Sequence, residues 1–212
     1  MKKKKDGDLI VISGPSGAGK DTIVNKLLEK HDDIYLSISM TTRDKRKGEI
    51  DKKDYYFVDN DTFIKNIEKD NFLEYAQVYD KYYGTPKDEV LKRLEKGIDV
   101  VLVIDITGAL NIKKQFKDAI FIFVMPPDLK TLLKRIIDRN SDTKEKMLKR
   151  FKQDYKLINE YNKYNYVVVN DNIDDAVEKV ESILTASKCS AQRIEDLELD
   201  NEEELIHEFL ID

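Results

Sequence analysis

A chain of 212 residues, 41% of them apolar and 37% charged, is long enough for one substantial core with or without small inserted subdomains. It contains no apolar run of about 18 residues, and the stretch Leu9 to Ile12 that follows Lys2 to Lys5 is too short for the core of a signal peptide, so the sequence places the protein in the cytoplasm and off the membrane. A single cysteine, Cys189, excludes an internal disulfide and a cysteine-based zinc cluster. The net charge of −5 is concentrated at one end: from Ser187 onward there are two basic and nine acidic residues, a local −7, which leaves 1–186 at +2. A near-neutral body lacks the basic face that a nucleic-acid partner requires.

In chain order, residues 1–7 read as a basic, disordered N-terminus, with Lys2 to Lys5 a solvated tail. Leu9-Ile10-Val11-Ile12 is a buried strand, and Ile23, Val24, Leu27 and Leu28 mark one face of a following helix. Between them runs Gly14-Pro15-Ser16-Gly17-Ala18-Gly19-Lys20-Asp21-Thr22. Strand before, helix after and the G-x-x-x-x-G-K spacing together mark a phosphate-binding loop, not an ordinary glycine-rich turn. Glycines allow successive backbone N–H groups to turn inward around phosphate oxygens at the positive end of the new helix, and Lys20 adds a point charge for the β- and γ-phosphates. Asp21 stands where this motif usually carries a hydroxyl for Mg²⁺. Its carboxylate either holds Mg²⁺, directly or through water, or repels a triphosphate; the ion is otherwise left to phosphates and water.

Further buried strands are expected at Val100 to Ile104, Ile120 to Val124 and Val167 to Val169, each followed by a helical pattern. The alternation predicts an α/β fold, a largely parallel sheet flanked by helices, with ligands at the carboxyl ends of the strands, where the loop, Asp105 and Asn170 fall. The domain at 8–186 divides into a core, 8–36 and 97–186, and an insertion of mixed character at about 37–96. In the insertion, Thr42 to Lys53 reads as a charged loop, Tyr55 to Val58, Phe72 to Val78 and Tyr82 to Thr85 as strands, and Asp61 to Lys69 as a helix. Thr85 is expected to cap a helix with Pro86 at its first position. Pro126-Pro127 ends a strand, and Asp128 caps a helix that turns Leu129, Leu132, Leu133, Ile136 and Ile137 inward. Arg135 and Arg139 lie on one side of its end. A second helix from about Lys144 to Lys163 carries Arg150, and the segment at about 138–150 reads either as a lid bearing arginines over a phosphoryl group or as a solvated helical hairpin. The acidic tail 187–212 either docks through Leu205, Ile206, Phe209 and Leu210 or is disordered.

Several motifs discriminate among nucleotide-binding proteins. Ser39 to Glu49 followed by Asp54-Tyr55-Tyr56-Phe57, then Phe72-Leu73-Glu74-Tyr75-Ala76, Tyr82-Tyr83-Gly84-Thr85, Ile104-Asp105-Ile106-Thr107-Gly108, the pair Arg135 and Arg139, Arg150, and Val169-Asn170-Asp171 resemble the guanylate kinases in order and spacing over roughly 8–186. The resemblance implies transfer of a phosphoryl group from ATP to GMP, with Mg²⁺ accompanying ATP. It implies that Ser39, Arg43, Arg46, Tyr55 and Tyr83 hold the acceptor phosphate, that Glu74 and Thr85 read guanine, and that Asp105 belongs to the GMP side. ATP would be met by Gly14 through Thr22, Arg135, Arg139 and Asn170, and the transferring group by Lys20, Arg43, Arg135, Arg139 and Arg150. Arginine forks binding phosphate oxygens bidentately suit that assignment. Where the family often carries a second acid two residues before Asp105, this chain has Val103. The alternatives are a guanylate-kinase-like protein-binding module and a kinase of the same fold acting on another phosphorylated acceptor. Whether the chain acts as a monomer or a homo-oligomer is left open.

Overall fold

In the computed structural model the described residues are 2–3, 7–46, 48–78, 80–138, 148, 151–152, 155–156, 158–191 and 194–196. The strands are β1 (Lys2–Lys3), β2 (Leu9–Ser13), β3 (Ile34–Leu36), β4 (Met40–Thr41), β5 (Tyr56–Phe57), β6 (Phe72–Val78), β7 (Lys81–Pro86), β8 (Asp99–Val103), β9 (Ile120–Met125), β10 (Tyr166–Val169) and β11 (Ile194–Asp196). The helices are α1 (Lys20–Lys30), α2 (Asn60–Glu68), α3 (Lys87–Leu94), α4 (Ile106–Gln115), α5 (Leu129–Asp138) and α6 (Ile173–Lys188), with a short 3₁₀ helix at Asn159–Lys163.

Five strands form a parallel sheet in the order β10-β9-β2-β8-β3. β2 and β8 are apolar except for Ser13 at the end of the one and Asp99 at the start of the other, and nearly every position is buried, as in a sheet covered on both faces. Ile10 and Ile12 pack with Ile23, Val24 and Leu27 of α1 and Val177 and Val180 of α6. Leu9 and Val11 face the other way, toward Val90 of α3, Ile106 and Ile112 of α4, and Tyr164. The segments leaving the neighbouring strands β2 and β8 therefore go to opposite faces, which opens a crevice at their carboxyl ends; ligands of doubly wound sheets bind at such a point.

The insertion is a second sheet, β5-β4-β7-β6, with β6 and β7 antiparallel. Its underside is closed by Phe63 of α2, stacked between Phe72 and Tyr82 at 4.6 and 5.3 Å. A polar junction ties it to the first sheet: Tyr35 of β3 donates to Glu89 of α3, Arg93 lies 3.5 Å from the centre of the Tyr35 ring, and Tyr56 of β5 donates to the other Glu89 oxygen at 3.5 Å.

Several local expectations are corrected. Lys2–Lys3 is a strand paired antiparallel with β11, not a disordered terminus. Thr85 lies within β7, and Pro86, without a side-chain hydrogen bond, occupies the cap position of α3. Asp128 does cap α5, accepting from Thr131 N at 2.8 Å, but only Leu132 and Ile136 of that helix are buried, while Leu129 and Ile137 are exposed. The strand β10 forms at the edge of the sheet, so that Tyr166, Val167 and Val169 are exposed and only Val168 is buried. Helix α6 continues past residue 186 to Lys188, whose ammonium pairs with Asp99 at 3.0 Å. Most of the acidic tail lies outside the described residues.

Candidate active site

The loop Gly14–Gly19 leaves the end of β2 and enters α1 through Gly19, which holds a left-handed backbone (φ 92°) with no side-chain cap. The positive end of α1 is thereby turned toward the crevice, where it favours an anionic group. Glycine suits position 19 on two counts: the left-handed backbone strains any other residue, and a Cβ there would stand 2.2 Å from Asn170 Nδ2 and displace that amide. Asn170 is buried and reaches from the end of β10 to donate to the Ala18 carbonyl at 2.8 Å, so the far side of the sheet sets the shape of the loop. Lys20 curls back over the loop it follows, its ammonium 2.8 and 3.0 Å from the Gly14 and Pro15 carbonyls. From α5, Arg135 Nη2 donates to the Asn170 carbonyl at 3.2 Å, while Nη1 is buried without a hydrogen-bond partner among the described residues. A buried orphan donor is costly unless a ligand takes it, and an anionic oxygen fits.

Across the crevice stands Glu74 of β6, 6% exposed, its Oε1 accepting from the hydroxyl of Thr85, the cross-strand partner on β7, at 2.8 Å. Its Oε2 lies against α4, where a Cβ on Gly108 would approach to 2.6 Å; glycine here is the condition for a carboxylate at the mouth of that helix. Asp105 caps α4, accepting from Gly108 N at 2.7 Å. Burial, relieved in part by Thr85 and reinforced by the charge of Asp105, pushes the Glu74 carboxyl up to about 7. Burial also raises Asp105, against the pull of its Gly108 bond and of the Lys20 ammonium.

The third group sits on the loop after β4. Arg43 forms a fork-to-fork pair with Glu49 at 2.7 and 2.9 Å and lies over the rings of Tyr55 and Phe57 at 5.2 and 5.6 Å. Tyr83 meets Tyr55 edge-on, ring centres 6.2 Å apart. Burial raises the Tyr55 hydroxyl to about 12, and the next cause is the charge of Asp21, so the first turn of α1 and this aromatic corner face each other electrostatically. Ser39 fixes the base of the same corner through its carbonyl, which accepts from Tyr56 N at 2.9 Å. Arg46 is exposed, and its backbone N–H donates to Glu49 Oε2 at 2.7 Å.

The guanylate kinase model matches residues 6–187. The chain belongs to the guanylate kinase family. A guanylate kinase of Clostridium perfringens strain SM101 is 52% identical over 210 residues, covering 99% of this chain and 97% of the relative. One from Caldanaerobacter subterraneus is 53% identical over 206 residues, 97% of this chain and 100% of the relative. Among solved structures, the guanylate kinase from Anaplasma phagocytophilum aligns at a TM-score of 0.75 with 31% identity over 98% of this chain and 97% of that one. As a guanylate kinase the protein is an ATP-dependent nucleoside monophosphate kinase.

This guanylate kinase thus brings together, from the sequence-predicted set, the loop Gly14 through Thr22, Arg135 and Asn170 on one wall, and Glu74, Thr85, Asp105, Arg43, Tyr55 and Tyr83 on the other. Arg139 and Arg150 lie outside the described residues. Two residues escaped the sequence reading. Gly108 was visible only as part of a motif, because nothing in a helical glycine announces a carboxylate above it. Glu49 is six residues from Arg43, a spacing that no helix or strand period singles out. Val103, at the end of β8, packs on the apolar cluster shared by α1 and α6. Among the described residues no helix is long and apolar enough to cross a membrane, and no three His, Cys, Asp or Glu side chains are grouped to hold a metal.

Proposed function

We propose that this guanylate kinase moves the γ-phosphoryl group of ATP onto the phosphate of GMP, giving ADP and GDP, with the donor on the Gly14–Thr22 loop and the acceptor in the insertion at about 37–96. The observation that carries the reading is the buried Glu74–Thr85 pair, which faces the phosphate loop across Asp105. A buried carboxylate is an acceptor of paired N–H donors. Guanine offers such a pair in its ring N–H and amino group, whereas adenine leaves the carboxylate unmatched, at a cost of about 1–3 kcal/mol or more for a charged group.

Catalysis then follows from placement and charge more than from acid–base chemistry. Loop N–H groups and Lys20 hold the β- and γ-phosphates. Arg43, with Arg46, Ser39, Tyr55 and Tyr83, turns the acceptor phosphate toward them, and the orphan Nη1 of Arg135 supplies a donor on the ATP side. We assign Arg139 and Arg150 the role of closing over the transferring group from the segment at about 138–150. The residues present fit a Mg²⁺ ion held chiefly by phosphate oxygens and water, since among the described residues no acidic cluster offers a full ligand set; Asp21, in the first turn of α1, is the protein group placed to contribute. When bound with ATP, that ion neutralises charge on the β- and γ-oxygens. Cytoplasmic GMP is the acceptor this reading requires.

The test is a coupled assay with ATP and Mg²⁺ offered GMP, AMP, UMP and CMP separately. ADP production that is fast with GMP and at least about 100-fold slower with AMP is the expected outcome. Comparable rates with AMP, or turnover only with a phosphorylated acceptor that is not a nucleotide, would remove guanine as the target of Glu74.

A further inference from the structure

The acceptor loop contains a pair that the reaction as described leaves unused. Between Arg43 and Glu49 the chain folds back on itself, with Glu49 N donating to the Arg46 carbonyl at 3.2 Å and Arg46 N donating to Glu49 Oε2 at 2.7 Å. Glu49 thereby meets the tip of the Arg43 fork: Nη2 donates to Oε1 at 2.7 Å and Nη1 to Oε2 at 2.9 Å, and Nη1 also donates to the Asp44 carbonyl at 2.8 Å. Both side chains are largely buried, 11% and 19% exposed, although the turn between them is open to solvent. A guanidinium carries five N–H donors in a fixed plane. Three are committed in this arrangement. The other two, on Nε and on the free side of Nη2, point together along the remaining edge, a two-pronged donor matched to two oxygens of a phosphate.

We propose that Glu49 is a positioning residue, which grips Arg43 by one edge so that the opposite edge is presented, already oriented, to the phosphate of GMP. The proposal rests on the reading of Arg43 as a ligand of the acceptor phosphate. A free arginine in an open loop would have to be ordered anew at each binding event, and holding it beforehand removes that cost. The carboxylate also repels an arriving dianion. That repulsion acts from the far side of the guanidinium, at longer range and past its positive charge, whereas the two charge-assisted hydrogen bonds are short. The electrostatics of the pair agree: burial works against both charges, and their mutual hydrogen bonds overcome it, lowering the Glu49 carboxyl and raising Arg43.

Calorimetric titration of GMP and of guanosine, with KM for ATP and melting temperature alongside, tests this on the full chain carrying Glu49→Gln, Glu49→Ala, Arg43→Ala and the Arg43→Ala/Glu49→Ala pair. Glu49→Gln should weaken GMP by about tenfold, the worth of one charge-assisted hydrogen bond, and Glu49→Ala by more. Guanosine affinity and KM for ATP should not move. On top of Arg43→Ala, loss of Glu49 should add nothing, because a positioning residue has no effect without the group it positions. Tighter GMP binding by Glu49→Gln would mean that repulsion dominates, and equal losses for GMP and guanosine would mean that Glu49 only maintains the loop; either overturns the proposal. An Arg43→Ala enzyme that binds GMP normally would instead overturn the phosphate assignment of Arg43 itself, and the proposal with it.

Discussion

The two walls of the crevice are made of different material. The donor wall is backbone: a loop whose shape is fixed by glycine, closed by the Asn170 amide on the Ala18 carbonyl and topped by a lysine that binds its own loop. The acceptor wall is side chains, with Glu74 and Thr85 from two strands, Asp105 from the mouth of a helix and Arg43 from a loop. Backbone donors recognise what every nucleoside triphosphate shares, so the first wall has little to select. Side chains recognise what differs among acceptors, so on the proposed reading selection resides in the second. Changes on one wall should therefore leave binding to the other intact.

The hardest test of that division is Lys20→Met, which should cut kcat on the order of 10²–10³-fold by removing charge that grows in importance toward the transition state, while GMP affinity measured by calorimetry stays at the wild-type value. Glu74→Gln should lower kcat/KM for GMP about 100-fold, leave KM for ATP unchanged and narrow the preference over AMP. The same carboxyl sets a pH dependence. Its value near 7 means that it becomes protonated as pH falls through that point and can no longer accept both guanine donors, so kcat/KM for GMP should fall from pH 8 to pH 6 more steeply in the wild type than in Glu74→Gln, where the GMP phosphate still titrates at the acid end. Stability should run the other way. A carboxyl raised on folding contributes stability that is present below its unfolded value and lost as pH rises through 7, so Glu74→Gln should melt higher than the wild type at pH 8 and close to it at pH 4. The smallest effect is expected from Asn170→Asp, which sets a carboxylate against the Ala18 carbonyl: KM for ATP should rise about tenfold and the melting temperature drop by a few degrees, with guanosine binding unchanged.

Legibility in the sequence follows the same division. The donor wall could be read because a backbone-built site needs particular residues at consecutive positions, and Gly14 to Lys20 contains them. The long apolar runs of β2, β8 and β9 were equally plain, since the middle of a strand covered on both faces is apolar at consecutive positions. Short elements were not. Three residues of β3 and two of β4 are too few to display a period, and their pairing includes partners more than 40 residues away. Thr85 was misread as a cap because Thr-Pro before a helical pattern has that local signature; its hydroxyl is instead taken by Glu74 across the ladder. Val167 and Val169 looked buried, but a run of valines does not reveal that its strand ends the sheet. On the acceptor wall, single residues were found through the family resemblance, while the groups that hold them, Glu49 and Gly108, emerge only when chain segments are brought together in space.

The contact between Asn170 and Ala18 has a consequence for how the protein comes into being. The two residues are 152 positions apart. During synthesis the glycine-rich segment leaves the ribosome early, together with the strand and helix that flank it, yet the amide that closes its far side arrives only with the last strand of the sheet. The contact predicts that nucleotide competence comes late in folding: a fragment that ends before β10 carries the full phosphate-loop sequence and should not bind ATP.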